Sequence, residues 1–126
     1  MNSNSVKKTD QKEMSPREEE IAAIFRKVEK KYWGKKSNQL KVYLVEDLII
    51  IRSCGNLSPA EEEFAKTEEG RILLKQLKVK ELDGIKNVLK FMLENKLSTQ
   101  VLSITIDTNP ELNETIIISR LKESLE

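Results

Sequence analysis

The chain contains no histidine, and Cys54 is its only cysteine. It therefore lacks the commonest general base, the commonest pH switch and the commonest metal ligand of proteins. One cysteine cannot form an intrachain disulfide, so nothing indicates an oxidising compartment. Arg52, two residues before Cys54 on one face of a predicted strand, leaves a reactive thiol open as an alternative. An inert, half-buried cysteine is the simpler interpretation, and we predict that the protein is not an enzyme.

Glycine is scarce as well, with four residues and no glycine-rich phosphate-binding pattern. The acidic runs 18–20 and 61–63 fall in the first turns of predicted helices, where negative charge complements the helix dipole. They need no metal ion to explain them. We therefore predict no cofactor, no metal and no identifiable small-molecule ligand.

No charge sign dominates, because 22 Lys and Arg residues stand against 21 Asp and Glu residues. A nucleic-acid binder usually has a basic excess, so this balance argues against a nucleic-acid partner. The N-terminus is polar, without the apolar core of a signal peptide. The apolar run Leu48 to Ile51 is far too short to span a bilayer. The expected location is the cytoplasm.

The 126 residues predict one domain after an arm. Residues 1–14 are polar, without an apolar period, and are predicted to be disordered. Ser15, Pro16 and Glu18 form a helix-start pattern, and Gly34 is a natural helix stop. This pattern predicts a first helix from Pro16 to Trp33. The spacing of its apolar residues predicts a core face of Ile21, Ile24, Phe25, Val28 and Tyr32.

Two hairpins and two further helices follow. Apolar and polar residues alternate from Leu40, and an apolar run begins at Leu48. This pattern predicts two strands joined by a turn at Glu46-Asp47. Ser58-Pro59-Ala60-Glu61 repeats the helix-start pattern and predicts a helix to about Glu69. A break near Gly70 and a third helix to about Asn95 follow. The last segments are predicted strands at 101–106 and 115–119 around a turn at 107–110, then a charged tail or short helix from Arg120.

The predicted fold class is α+β, with the element order α-β-β-α-α-β-β. Residues 15–126 form a four-stranded, mostly antiparallel sheet of two hairpins, with helices packed on one face. On the strand at 101–106, Leu102, Ile104 and Ile106 are assigned to one face and Val101 to the other. The uncovered face of the sheet is predicted to carry Tyr43, Ile50, Val101 and Ile117. Such an apolar face usually marks an interface, so we expect a homodimer through this face or through a strand edge.

Lysines and aromatics are interleaved at the end of the first helix. The cluster contains Lys27, Lys30, Lys31, Lys35 and Lys36, with Tyr32 and Trp33 between them. Such a cluster can stack nucleobases or lie at a membrane surface. The alternative is a solvated helix end whose cations favour the helix dipole, with Tyr32 in the core.

Four motifs resemble those of the MpsC-like family of bacterial domains. They are Tyr32-Trp33-Gly34, the segment YLVEDL at 43–48, the segment GNLSPAE at 55–61, and the segment GRIL at 70–73. The acidic segment 104–111 is also similar to the family's last turn, so the resemblance spans about 21–119. It implies a part in a Na+-translocating, membrane-potential-generating system and brings no catalytic residues.

Three functions stay open on the sequence alone. The first is a cytoplasmic, dimeric accessory protein, with a membrane complex as a peripheral partner and Tyr43, Arg52 and Arg71 among its candidate contacts. The second is a nucleic-acid or nucleotide-binding regulator that uses the lysine-aromatic helix end. The third is an enzyme that uses Cys54, Arg52 or a carboxylate. Because the sequence shows no set of residues suited to catalysis, it favours the first function.

Overall fold

The computed structural model describes residues 13–34 and 36–125. The predicted arm falls mainly on residues 1–12, which lie outside this range, as do Lys35 and Glu126. The order of elements is the predicted one. The helices are α1 (Pro16–Trp33), α2 (Pro59–Phe64) and α3 (Glu68–Leu97), and the strands are β1 (Gln39–Val45), β2 (Leu48–Cys54), β3 (Val101–Asn109) and β4 (Glu114–Leu121).

Helix α1 begins and ends where the sequence predicts. The Ser15 hydroxyl accepts a hydrogen bond from the Glu18 backbone N–H, and Glu18 accepts one from the Ser15 N–H at 2.9 Å. Gly34 ends the helix in the left-handed region at φ 69°, which glycine adopts without strain. The second oxygen of Glu18 accepts from the Leu44 N–H at 2.9 Å. One capping side chain therefore also ties α1 to the edge strand β1.

The four strands form one antiparallel sheet in the order β1-β2-β4-β3. The two strands of each hairpin pair with each other, and β2 pairs with β4. The apolar strands β2 and β4 are therefore central, and β1 and β3 are the edges. Helix α1 packs against β1 and helix α3 against β3, on the same face of the sheet. The core lies between these two layers. Phe25, Ile49, Leu89 and Ile117 are among its fully buried side chains.

The break between the second and third helices comes earlier than predicted. Helix α2 ends at Phe64, and Thr67 caps α3 by accepting from the Gly70 N–H at 3.0 Å. Gly70 lies in the first turn of α3, where a β-carbon would overlap the backbone oxygen of Phe64. This glycine therefore lets the end of α2 approach the long helix, and the break itself is made by residues 65–67.

Two residues assigned to the uncovered face lie in the core instead. Val101 is 3% exposed and Ile117 is 1% exposed. A bulge between Val101 and Ser103 reverses the alternation, so that Val101 shares the core face with Ile104 and leaves Leu102 outside. The turn of this hairpin also lies later than predicted, at 110–113, and β4 extends from 114 to 121. Among the described residues, the tail after Leu121 forms no helix.

Glu29 is the most deeply buried of the three acidic or basic residues that the described chain buries, the others being Glu18 and Lys78. Glu29 of α1 is fully inaccessible. Its carboxylate accepts from the Ser53 hydroxyl at 3.1 Å and from the Ser37 N–H and hydroxyl at 3.3 and 3.4 Å. These bonds satisfy the buried carboxylate and join the end of α1 to β2 and to the segment before β1.

Candidate interaction surfaces

The face of the sheet turned away from the helices is not covered by any element in residues 13–34 and 36–125; we call it the open sheet face. Its residues alternate with the buried ones along each strand. They are Gln39, Lys41, Tyr43 and Val45 of β1; Leu48, Ile50, Arg52 and Cys54 of β2; Glu114, Ile116, Ile118 and Arg120 of β4; and Ser103, Thr105, Asp107 and Asn109 of β3.

The centre of the open sheet face is apolar. The strand register aligns Tyr43, Ile50, Ile118 and Thr105 in one row across the four strands. Ile118 is 38% exposed although it lies on a central strand, because nothing in the described residues covers this face. Tyr43 and Ile50 are on this face, as predicted, whereas Val45, Leu48, Ile116 and Ile118 are apolar residues of the face that the sequence did not indicate.

The next row is charged, with opposite signs at its two ends. It runs Lys41, Arg52, Ile116, Asp107 from β1 to β3. Arg52 forms a salt bridge with Glu114 at 2.7 Å. This hydrogen bond to Glu114 raises the pKa of Arg52 further above its ordinary value. The guanidinium is therefore committed to a carboxylate on the neighbouring strand.

Cys54 lies beside this ion pair, with its sulfur 3.8 Å from a Glu114 oxygen. Burial raises the pKa of the Cys54 thiol, the charge of Arg52 opposes this shift, and Glu114 adds to it. The arrangement favours the neutral thiol, because the nearest carboxylate repels a thiolate and also neutralises the cation that would stabilise one.

The lysine-aromatic end of α1 is not one continuous stacking surface. Trp33 turns inward, with its ring centre 6.4 Å from that of Phe25. Tyr32, which the sequence assigned to the core, is 42% exposed instead, and the Lys31 ammonium lies 5.5 Å from its ring centre. Of these two aromatic residues, it is therefore the half-buried Trp33 that packs against the core. Lys30 and Lys36 are exposed, and Lys35 lies outside the described residues.

Two of the family-like motifs, 55–61 and 70–73, lie near the end of the sheet where β3 turns into β4, whereas the motif 43–48 forms the β1–β2 turn at the opposite end. The Asn113 side chain accepts from the Leu57 N–H at 3.2 Å, and its backbone oxygen accepts from the Gly55 N–H at 2.9 Å. Arg71 donates to the Ala65 oxygen at 3.0 Å and so caps helix α2. These contacts give the motifs a structural role, and Arg71 holds two helices together through that bond.

A surface on the outer side of the helix layer contains three lysines of the predicted cluster, Lys27, Lys30 and Lys36, together with cations that the sequence did not indicate, and we call it the basic groove. Two concavities of roughly 410 and 350 Å³ adjoin there and share Ala23 and Lys27. The first lies between α1 and α3, beside Phe91, and the second follows α1. The cations of the basic groove are Arg26, Lys27, Lys30, Lys36 and Lys96. In the sequence, the spacing of residues 23, 26, 27 and 30 indicates this surface, because it places them on the face of α1 opposite its core residues.

Other kinds of site find little support in residues 13–34 and 36–125. They contain no group of three or more acidic or cysteine side chains placed to hold a metal ion. Within the same range, no helix combines the length and the apolar character needed to cross a membrane.

Comparison with known proteins places the chain in a family. It is 28% identical over 109 residues to the uncharacterized protein YbcI of Bacillus subtilis (strain 168), covering 86% of this chain and 88% of that protein. No solved structure matches. The family model described as "Na+-translocating membrane potential-generating system (MpsC)" matches residues 14–123, which is nearly the whole chain. The chain therefore belongs to the MpsC family, as its four motifs indicated.

Proposed function

We propose that this chain is a non-catalytic, dimeric accessory protein that acts on the cytoplasmic side of a Na+-translocating, membrane-potential-generating system. The family description supports the link to such a system. The observation that carries the proposal is the open sheet face, because its pattern of apolar and charged residues is complementary to a second copy of itself.

The complementarity follows from the strand register. Two open sheet faces stacked about a twofold axis parallel to the strands place β1 of one copy over β3 of the other, with the rows still aligned. Ile50 then faces the partner's Ile118, and Lys41 faces the partner's Asp107, whose carboxylate also lies 3.8 Å from the Lys75 ammonium of its own chain. The apolar row is buried in the centre while opposite charges meet at both margins, as in many interfaces.

The size of the face also fits a dimer. Four strands about 4.8 Å apart, with seven residues rising about 3.3 Å each, present roughly 19 by 23 Å. Protruding side chains increase the accessible area beyond this projection, so that two faces reach the lower part of the range for stable interfaces, about 1,200 Å² in total. The Arg52–Glu114 pair enters the interface already hydrogen-bonded, which limits the cost of desolvating it.

The chemistry of the side chains supports a role without catalysis. The chain has no histidine, and the environment of Cys54 favours the neutral thiol. Glu29 is buried and bonded by serines, and Glu18 ties α1 to β1. Each of these carboxylates has a structural partner, which accounts for its position without a reaction.

The proposal is tested by the molar mass in solution, measured by light scattering over a range of concentrations. We expect the wild type to have twice the mass of one chain. Ile118→Asp should give a monomer, because each interface would bury two unpaired carboxylates near the twofold axis. Leu112→Asp is the matched control, since Leu112 is 63% exposed on the β3–β4 turn, away from the open sheet face. A monomeric wild type, or an Ile118→Asp dimer, would contradict the proposal.

The orientation of the two copies can be tested by charge exchange. Lys41→Glu alone and Asp107→Lys alone each place like charges opposite each other and should weaken the dimer. The double variant restores both pairs in the proposed arrangement, so its dimerisation should recover. Additive weakening in the double variant would show that these two residues do not meet.

A further inference from the structure

The basic groove concentrates positive charge in a chain whose net charge is only +1. Five cations line it, and the one carboxylate among its lining residues, Glu20, is paired with Lys96 at 3.5 Å. The position of these cations is not explained by the helix dipole alone. That effect acts within the last turn of a helix, whereas Arg26 and Lys27 lie well before the end of α1 at Trp33.

An exposed aromatic residue stands at the edge of the same surface. Phe91 of α3 is 66% exposed, more than any other large apolar side chain in residues 13–34 and 36–125. It borders the concavity between the helices, beside the half-buried Met92. Two thirds of this aromatic side chain is therefore left in contact with solvent. An aromatic ring that protrudes among lysines matches surfaces that enter the headgroup region of a bilayer.

We propose that the basic groove is a docking surface for anionic phospholipid, with Phe91 entering the interface and the lysines meeting the headgroups. Clusters of four to eight basic residues on an amphipathic helix are typical of such binding. This inference goes beyond the proposed dimer and does not depend on it, because the groove and the open sheet face lie on opposite sides of the domain.

The observations favour lipid over nucleic acid. Single-stranded nucleic acid is bound by several aromatic rings on which successive bases stack, and among the described residues Phe91 is the only aromatic residue that lines the groove. The Trp33 ring packs on Phe25, and the Lys31 ammonium lies over the Tyr32 ring. The floor of the groove is instead apolar, with Ala23 at its centre. An apolar floor with a protruding phenyl ring suits the boundary between headgroups and acyl chains.

Co-sedimentation of the full chain with vesicles tests the proposal. We expect binding to vesicles that contain phosphatidylglycerol, weaker binding as salt is raised, and no binding to pure phosphatidylcholine. Each basic residue near an anionic surface contributes about 1 kcal/mol, so Lys27→Gln with Lys30→Gln should lower the partition coefficient roughly 30-fold. The control, Lys66→Gln with Lys122→Gln, removes the same charge outside the groove and should change it less than about threefold by the same reasoning.

A second variant separates the apolar contribution from the electrostatic one. Phe91→Ser should weaken binding by a similar factor at every salt concentration, whereas the lysine variant should flatten the dependence on salt. Circular dichroism checks that each variant folds, and Ile118→Asp should still bind vesicles even if it is monomeric.

Three outcomes would overturn the inference. They are equal binding to phosphatidylglycerol and phosphatidylcholine vesicles, equal losses for the groove and control variants, and retention on single-stranded RNA without any binding to vesicles. The last result would assign the groove to nucleic acid. A monomeric wild type that binds phosphatidylglycerol would remove the proposed dimer and leave the lipid surface intact.

Discussion

Helix α3 contains two glycines, Gly70 and Gly84, whose replacement by alanine should change the stability of the protein in opposite directions. Gly84 lies near the middle of the helix, and a β-carbon there would meet nothing within 4 Å. Alanine is favoured over glycine inside a helix by about 0.8–1.0 kcal/mol. Gly84→Ala should therefore raise the free energy of unfolding by about that amount.

Gly70 has no such space, because an added β-carbon would overlap the backbone oxygen of Phe64. A backbone oxygen cannot rotate away as a flexible side chain can, so either α2 or the first turn of α3 must move. Overpacking of this kind costs about 1–3 kcal/mol. The loss of folding free energy has an upper limit, which is the cost of detaching α2. Because α2 has no buried residue, it can detach while the core stays intact.

Urea unfolding measures both effects. Trp33 is the only tryptophan and packs on Phe25, so its fluorescence follows loss of the core. With a slope of about 2 kcal/mol per molar urea, Gly84→Ala should raise the midpoint by about 0.5 M, and Gly70→Ala should lower it by about 0.5–1.5 M. Protein concentration must be constant, because dimerisation would add to the stability.

The two variants serve as controls for each other, since the substitution and the helix are the same. If release of α2 relieves the strain, amide hydrogen exchange in 59–66 should accelerate in Gly70→Ala while the core stays protected. Equal stabilisation by both alanines, or unchanged exchange in 59–66 together with an unchanged midpoint, would refute the argument from the close approach of Phe64.

Three other predictions concern single side chains. Glu29→Ala should lower the free energy of unfolding by about 2–4 kcal/mol in the same urea assay, because it opens a cavity and leaves buried donors without an acceptor. Ser15→Ala should cost about 1 kcal/mol of global stability, whereas Ser58→Ala should mainly speed exchange in α2, which carries no fully buried residue. Alkylation of Cys54 should be slower than that of a free cysteine peptide near pH 8, because its pKa is raised and thiolate forms only at higher pH. Glu114→Gln should accelerate it, by removing a carboxylate that opposes the thiolate.

The sequence was most informative where local chemistry decides the structure. The two Ser-Pro-x-Glu segments are both capping boxes, with Ser15 and Ser58 as the capping residues. The turn at Glu46-Asp47 joins β1 and β2 as predicted. Both features depend on interactions between residues a few positions apart, which composition and spacing report directly.

The sequence was least informative where contacts between segments far apart in the chain determine the structure. Three consecutive isoleucines at 116–118 suit either face of a sheet, and only pairing with β2 and β3 places Ile117 in the core. The bulge at Leu102 changes which side chains at the start of β3 face the core, and no glycine or proline in the sequence indicates it. Glu29 is charged and was not expected in the interior, where Ser37 and Ser53 reach it from other elements.

The basic groove was only partly indicated by the sequence. Lys27, Lys30 and Lys36 belong to the lysine-aromatic cluster predicted at the end of α1. Arg26 and Lys96 were not part of that cluster, and Lys96 is far in sequence from the rest. Only the side-by-side packing of α1 and α3 brings these cations to one surface, next to Phe91.

A domain of two layers has only two broad sides, and this one has a helix side and a sheet side. Two copies joined sheet to sheet turn their helix sides in opposite directions. A flat bilayer can then meet the groove of one copy at a time, so pairing would add no avidity on a single membrane. The second groove would stay free, and a paired molecule could gather neighbouring vesicles into clusters that a single copy cannot form.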